Sequence, residues 1–457
     1  MLVKDGLQES LSSVLASFVV SARAETIPKQ VMAMSRLCVL DWVGSALAGA
    51  RETPGEMILE LVQEMGGTPH STLIATGEKT SVLNAALVNG AMSHIVELDD
   101  LHKTSILHPA APIIPAALAV AEMEGKSGNE LLLAVALGYE TAIRIGEAVT
   151  PSHYNFWHTT ATCGTFGAAA AAGKLLGLTK AEMIDALGTA GTQAAGLWEF
   201  IYDGAMSKHL HPGKAAQNGV LAALLAKKGF TGASRILEGE KGFFRAMSEG
   251  AEAQKIVLDL GSSYKILENS FKIHASCRHT HPTIDLIIGW HQQGKFNPEE
   301  INNIKVETYQ IAVDIAGHYN PTSIYAAKFS IPFCAALAAV KGKAGLDDFS
   351  QENLNDPLIR QVMGKINLSS PKDINDRYPV EWPARIKIEM ANGQVFNLET
   401  SFPKGDPENM VSIEEIEEKF RRLVSYKGEL VAKNLLKQLK KLEEISDLNL
   451  FTVVFKN

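Results

Sequence analysis

A chain of 457 residues, 46% hydrophobic and only 21% charged, excludes disorder, collagen-like repeats and a disulfide-stapled miniprotein. With 43 Lys and Arg against 51 Asp and Glu the formal charge is −8, and no basic block is long enough to track phosphates, so nucleic acid is not an expected partner. The four cysteines, Cys38, Cys163, Cys277 and Cys334, stand far apart with no C-x-x-C, which argues against structural zinc and iron–sulfur sites and fits a reducing, cytoplasmic compartment.

The N-terminal segment reaches Ala22-Arg23-Ala24, as a signal peptide would. Lys4, Asp5 and Glu9 leave no cationic start, however, and Leu7, Leu11, Val14, Leu15 and Phe18 recur at helical spacing. Residues 148–173 carry no formal charge but hold Pro151, His153, Asn155, His158 and several hydroxyls, so they do not read as a membrane span. Ser127 with Glu130 and Thr179 with Glu182 are capping boxes that open helices, and Gly177 and Gly229 stand where glycine ends them. Up to about residue 265 the pattern is therefore helical. The texture then changes. Ile304, Val306 and Thr308 alternate with polar residues, and Arg385-Ile-Lys-Ile-Glu-Met390, Asn392-Gly393 and residues 395–398 spell a β-hairpin with a type I′ turn. Ser412 with Glu415 opens a further helical tail whose amphipathic spacing returns it to the helical part. The expectation is a mainly α protein. A large all-helical, discontinuous domain spans residues 1–265 and 403–457, and a smaller α+β lid domain spans residues 266–402.

Four of the thirteen histidines stand just before an expected helix start: His108 before Pro109, His158 before Thr159, His211 before Pro212 and His281 before Pro282. A helix N-terminus offers unpaired N–H groups and about half a positive charge, which suits a carboxylate or phosphate. Four such ends with imidazoles would make an anion pocket able to exchange protons near neutral pH. Lys208, three residues before His211, fits a carboxylate clamp or proton donor, with Lys214 the weaker candidate. The acidic run Glu97-Leu98-Asp99-Asp100, followed by His102 and His108, offers a base pair for proton abstraction, and its spacing specifies no metal. Glu140 and Arg144 read as a buried structural ion pair, and Tyr139 as packing. Lys272, His274, Cys277, Arg278 and His281 crowd one ten-residue segment that reads as a polar wall, with no nucleophile elbow around Cys277. Neither G-x-G-x-x-G after a strand nor G-x-x-x-x-G-K-[ST] occurs. The expected chemistry is cofactor-free acid–base work on a small carboxylate anion, with no metal and no membrane partner.

These residues resemble the MmgE/PrpD family. The blocks are His94 through His108, Trp157-His158 with Cys163-Gly-Thr-Phe-Gly and the Ala run after it, Ser207-Lys208-His-Leu-His-Pro-Gly213, Cys277-Arg-His-Thr-His-Pro282, Ala327-Lys-Phe-Ser-Ile331 and Gly405-Asp-Pro-Glu-Asn409. The resemblance implies a homodimer of two-domain chains, a helical domain completed by the C-terminus plus an α+β lid, with the active site between them. Family members include 2-methylcitrate dehydratase, cis-aconitate decarboxylase and iminodisuccinate epimerase, which need no cofactor. The decarboxylases carry Asp-Phe-Asp-Asp-Thr, His-Pro, a helix-starting His, the Lys of Thr-Lys-Pro-Leu-His and a lid His. In this chain Glu97 stands at the first acid and Leu101 at the Thr. His108, His158 and Lys208 match, and Cys277 falls at the lid His with His274 close by. The leading expectation is elimination of water from a 2-methylcitrate-like tricarboxylate. His158 exchanges the proton, Lys208, His108 and His211 hold carboxylate charge, and Asp99 or Glu97 orients an imidazole. Glu97, His102, His211, Lys272, His274, Cys277, Arg278 and His281 are the expected substrate contacts. The alternatives are decarboxylation of cis-aconitate, epimerisation of a dicarboxylate, and non-catalytic carboxylate binding.

Overall fold

The capping pairs become helix starts. In the computed structural model, which describes residues 9–202, 204–294 and 297–456, the Glu130 N–H donates to the Ser127 hydroxyl at 3.3 Å. The Ser127 N–H returns a bond to the Glu130 carboxylate at 2.9 Å. Thr179 with Glu182 and Ser412 with Glu415 close the same box, each satisfying donors that a first helical turn leaves open. Lys4, Asp5 and Leu7, used above to read the N-terminus, lie outside the described residues.

The principal elements in chain order are helices α1 (Leu11–Ser21), α2 (Lys29–Gly49), α3 (Val82–Ser93), α4 (Ala110–Met123), α5 (Gly128–Val149), α6 (Thr159–Leu175), α7 (Ser207–Lys227), α8 (His281–Gln292), α9 (Ile331–Lys341) and α10 (Ile413–Val424). The principal strands are β1 (Ile301–Thr308), β2 (Ile366–Ser369), β3 (Ala384–Met390) and β4 (Val395–Thr400). They sort into two units. The first holds the chain up to Ile95, Asp99–Ser270 and everything from Ser412; the second holds Val96–Leu98 and Phe271–Val411.

Both changes of unit come later than the breaks at 265 and 402 read from periodicity, and the short Val96–Leu98 segment was not foreseen at all. The causes are non-local bonds. Asn269 and Ser270 pair antiparallel with His102 and Leu101, which keeps the chain in the first unit to Ser270. The Phe271 N–H donates to the Gly405 carbonyl at 2.9 Å within the second unit. Val96 and Glu97 are tied to that unit by Lys328 Nζ on the Val96 carbonyl at 3.4 Å and by Lys272 Nζ, 3.5 Å from the Glu97 carboxylate.

In the first unit α6 packs against α4, α5 and α7. Small residues make this possible: a Cβ on Gly167 would come 2.7 Å from the Gly138 carbonyl oxygen and from the Ala142 methyl, so α5 and α6 meet backbone to backbone. The Ala run at 168–172 is wholly buried along the same helix. Helix α2 is long and apolar enough by length and composition to cross a membrane, but 78% of that window is buried. Helices α3, α5 and α10 pack on it, as around a core helix, with Lys419 of α10 on the Asp41 carboxylate at 2.5 Å.

The second unit centres on a sheet ordered β2, β1, β3, β4, with β1 and β2 parallel and the rest antiparallel. Ala384, Ile386, Ile388 and Met390 of β3 are buried, on a sheet that packs against α8. The β3–β4 turn corrects an expectation. Gly393 has φ 85° but Asn392 does not have positive φ, the Gly393 N–H donates to the Met390 carbonyl at 3.0 Å, and the Met390 N–H to the Gln394 carbonyl at 2.9 Å. This is a three-residue loop with glycine at its left-handed position, not type I′. All four cysteines are buried and unbridged.

Candidate active site

The first unit gathers its imidazoles from helix ends. Pro109 caps α4, which puts His108 just outside that helix, where its N–H donates to the Thr160 hydroxyl at 3.0 Å. His158 is the N-cap of α6, and its N–H donates to the Gly196 carbonyl at 2.9 Å. His211 corrects the helix-start reading. Helix α7 begins at Ser207, so Lys208 lies in its first turn and Pro212 inside it. The proline gives up one intrahelical bond and was mistaken for a first residue. His94 closes α3 as its C-cap.

Asp99 joins two of these rings through one oxygen. Its Oδ2 lies 2.8 Å from His94 Nδ1 and 3.3 Å from His108 Nδ1. The His94 ring is 4.7 Å from His108 and stacks 5.5 Å from His158, and His158 is 5.4 Å from His211. Trp198 covers His158 at 4.8 Å, and Phe200 meets His211 edge-on at 5.6 Å. Backbone strain brackets the acidic loop, since Glu97 and Ile106 have φ of 60° and 48°. Such conformations cost about 1–3 kcal/mol each and persist where surrounding structure enforces them.

Burial sets the charge states. It lowers His94 and His158 and brings His211 down to about 4, and the buried Lys208 charge adds to the lowering in all three. Burial alone would raise Asp99, but the His94 and His108 rings set against its carboxylate, with the hydrogen bond from His94, hold it well below the usual carboxylate range. An ionised carboxylate only accepts, so neutral His94 carries its proton on Nδ1 and leaves Nε2 bare. That Nε2 is buried and has no hydrogen-bond partner, and neither has Asp99 Oδ1. Buried polar atoms without partners are costly and call for an occupant. His94 ends a helix instead of preceding one, so it carries none of the start signals that mark the other three, and its one signal in the sequence is Asp99 five residues on.

Asp100 anchors the loop from behind. The Tyr139 hydroxyl and the Asn269 amide each donate to it at 2.7 Å, and the Ala110 N–H, at the start of α4, donates at 3.1 Å. Burial raises its carboxyl to about 7 against those bonds, with the neighbouring charges of Asp99 and Asp41 adding to the rise. Tyr139 is thus a buried donor, and Glu140 pairs with Arg144 at 2.6 Å as expected.

His102 keeps different company, with Nδ1 2.9 Å from the Ser105 hydroxyl and Nε2 3.6 Å from Glu268. Among the described residues two sets have donor atoms close enough to share a cation: His94, Asp99 and His108, and His102, Glu147 and Glu268. Each comes with an ammonium of this chain. Lys208 acts on His94 in the first set, and Lys265 sits 3.2 Å from both Glu147 and Glu268 in the second.

The remaining expected contacts lie in the second unit. Glu97 pairs with Lys272 at 3.5 Å, both buried. His274 Nε2 meets Asp285 at 2.8 Å, and its ring is 5.0 Å from His281. The Cys277 N–H donates to the Lys328 carbonyl at 2.9 Å. Arg278 pairs with Asp406, donates to the Lys404 carbonyl at 3.1 Å and lies 3.0 Å from His281 Nδ1. His281 Nε2 faces the Ser276 carbonyl at 3.3 Å. Arg278 and His281 are engaged in holding this unit together.

Residues 13–256 match the MmgE/PrpD N-terminal domain and residues 274–442 the MmgE/PrpD C-terminal domain. The chain is similar to a cis-aconitate decarboxylase of Aspergillus terreus, 30% identical over 442 residues that cover 91% of this chain and 89% of the relative. It is similar to cis-aconitate decarboxylase of Homo sapiens, 23% identical over 465 residues, 98% and 95% of the two chains. It is also similar to mitochondrial 2-methylcitrate dehydratase of Yarrowia lipolytica, 23% identical over 402 residues, 82% and 76%. These relatives are lyases.

Proposed function

This chain belongs to the MmgE/PrpD family, and from that membership we propose a cofactor-independent lyase of small tricarboxylates whose first activity is decarboxylation of cis-aconitate. The observation that carries the proposal is the row of imidazoles His108, His94, His158 and His211, the middle two buried and the outer two partly exposed, beside the buried Lys208, with His94 Nε2 left unpartnered. A fixed ammonium and helix N-termini hold carboxylates. When CO₂ leaves, the electron pair of the broken bond stays on carbon and spreads into the neighbouring unsaturation, and a proton delivered to carbon completes the product. Neutral imidazoles out of water are suited to that delivery. The similarity to decarboxylases over nine-tenths of the chain supports placing this reaction first.

Elimination of water from 2-methylcitrate is the second reading. The dehydratase relative favours it, as does Leu101 where the decarboxylase motif has Thr. The same groups would then take a proton from carbon and return it to the leaving hydroxide.

Incubation with cis-aconitate, 2-methylcitrate and citrate in deuterated water, followed by NMR, separates the outcomes. We expect CO₂ and an itaconate carrying deuterium from cis-aconitate; an alkene without CO₂ from 2-methylcitrate would establish the second reading instead. His158→Gln and Lys208→Ala should each lower kcat by about a hundredfold to ten-thousandfold with unchanged Tm. Binding of tricarboxylates with no turnover across the panel would overturn the lyase reading.

A further inference from the structure

His158 and His211 meet nitrogen to nitrogen, Nδ1 to Nδ1 at 3.1 Å. At that separation one proton lies between them, since two bare nitrogens would oppose lone pairs and two N–H groups would oppose protons. The contact is built in. A Cβ at Gly196, whose φ is 145°, would come 3.3 Å from His211 Nδ1 and 2.5 Å from the Ala161 methyl, while the Gly196 carbonyl holds the His158 N–H. Which ring owns the proton decides what His158 can do. If Nδ1 of His158 is protonated, its Nε2 is a base; if Nδ1 is bare, Nε2–H is an acid.

We infer that His211 is a positioning residue that donates from its Nδ1 to His158 Nδ1 and so fixes His158 as the Nε2–H tautomer, the proton donor of the site. Two observations favour this direction. His158 is the N-cap of a 17-residue helix, its side chain bonding none of the first-turn N–H groups, and the positive end of the helix dipole favours a lone pair over a proton on the δ atom. His94, stacked on His158, is held by Asp99 in the opposite tautomer with Nε2 bare. The two stacked rings are then complementary, one acceptor and one donor. An acceptor-only carboxylate orients the first, and an amphoteric imidazole orients the second.

The charged and titratable groups around His158 are His94 at the end of α3, His108 before α4, and Lys208 and His211 on α7, and all lower its proton affinity after burial. The ring therefore works as a neutral acid, and no loss of activity through deprotonation of its imidazolium is expected on the alkaline side. The role as acid rests on the lyase reading, whereas the tautomer does not. With 15N-labelled histidine, wild type should show His158 with bare Nδ1 and protonated Nε2. His211→Asn can donate from the same δ position and should keep that spectrum, with kcat within about tenfold of wild type. His211→Asp only accepts; it should move the proton to His158 Nδ1 and make kcat fall by about a hundredfold as pH rises above neutrality, with KM unchanged. A wild-type spectrum with Nδ1 protonated, or equal losses in the two variants, would overturn the assignment. If wild type turns over no tricarboxylate, the reaction reading fails and the spectrum still decides the tautomer.

Discussion

Asp99 uses one carboxylate oxygen for two imidazoles, so its ionised state fixes how His94 faces any ligand. Asp99→Asn offers His94 both a donor and an acceptor and loses that control. We expect kcat to fall by about a hundredfold with KM little changed, read by steady-state kinetics, and an effect confined to KM would assign Asp99 to binding instead. At this scale the sequence marked Asp99, His108, His158, Lys208 and His211 as candidates, because proline, expected helix starts and an acidic run stand beside them. It did not expose His94, which ends a helix and whose one signal is an acid five residues on, nor the distinct duties of Asp99 and Asp100. Adjacent carboxylates in a sequence look equivalent. Only the fold gives one to imidazoles and the other to Tyr139, Asn269 and the start of α4.

Helix α5 carries two contacts that can be tested separately. Arg144 pairs with Glu140 and also donates to the carbonyls of Lys255, at 3.2 Å, and Ser263, at 3.3 Å, so it binds the helix to the chain that follows α7. Arg144→Ala strips the buried Glu140 carboxylate of its guanidinium and leaves it the Lys265 N–H at 2.7 Å, and should cost about 3–5 kcal/mol in denaturant unfolding. Gly167→Ala places a methyl where Ala142 and the Gly138 carbonyl already stand. It should cost about 1–3 kcal/mol, and an unchanged midpoint would mean that α5 and α6 part without strain. The pair at 140 and 144, the capping boxes and the alternation of β1 and β3 were legible because each is a local pattern. The start of α7 and the form of the β3–β4 turn were not. Pro212 and Asn392-Gly393 each permit more than one backbone, and neighbours several residues away choose between them.

The molecule as a whole buries many imidazoles in the neutral form. His153 and His279 are held at about 4 by burial, although the Met247 carbonyl, which accepts from His153 Nδ1, raises His153 somewhat, and His94, His158 and His281 are lowered in the same way. Between about pH 6.5 and 4 the unfolded chain takes up protons that the folded chain refuses, so stability falls as the solution is acidified, by up to about 1.4 kcal/mol per pH unit for each such ring. Asp100 acts oppositely. Its carboxyl, raised to about 7 from 3.8, contributes stability that is complete below the lower value and lost as pH rises through the upper. One carboxyl is outnumbered, so Tm measured by scanning calorimetry should drop from pH 7 to pH 5, and a flat profile would mean that the imidazoles are charged in the fold. The two-part layout was readable from the change of texture after residue 265, but the exact seams were not, because the pairing of Leu101 with Ser270 and the bonds on Val96 and Glu97 join residues far apart in sequence. The unbridged cysteines put that layout within reach of a simple clock. Cys38 and Cys163 lie in the first unit, Cys277 and Cys334 in the second. Burial pushes Cys163 and Cys334 up to about 12, despite hydrogen bonds that pull the other way, and Cys38 upward as well. A thiol kept protonated and dry is silent to an alkylating reagent until the structure around it opens. Each unit therefore carries its own fuse: mass spectrometry of alkylated peptides along a urea series would time the opening of the two units independently, with the thiols of one unit becoming labelled together.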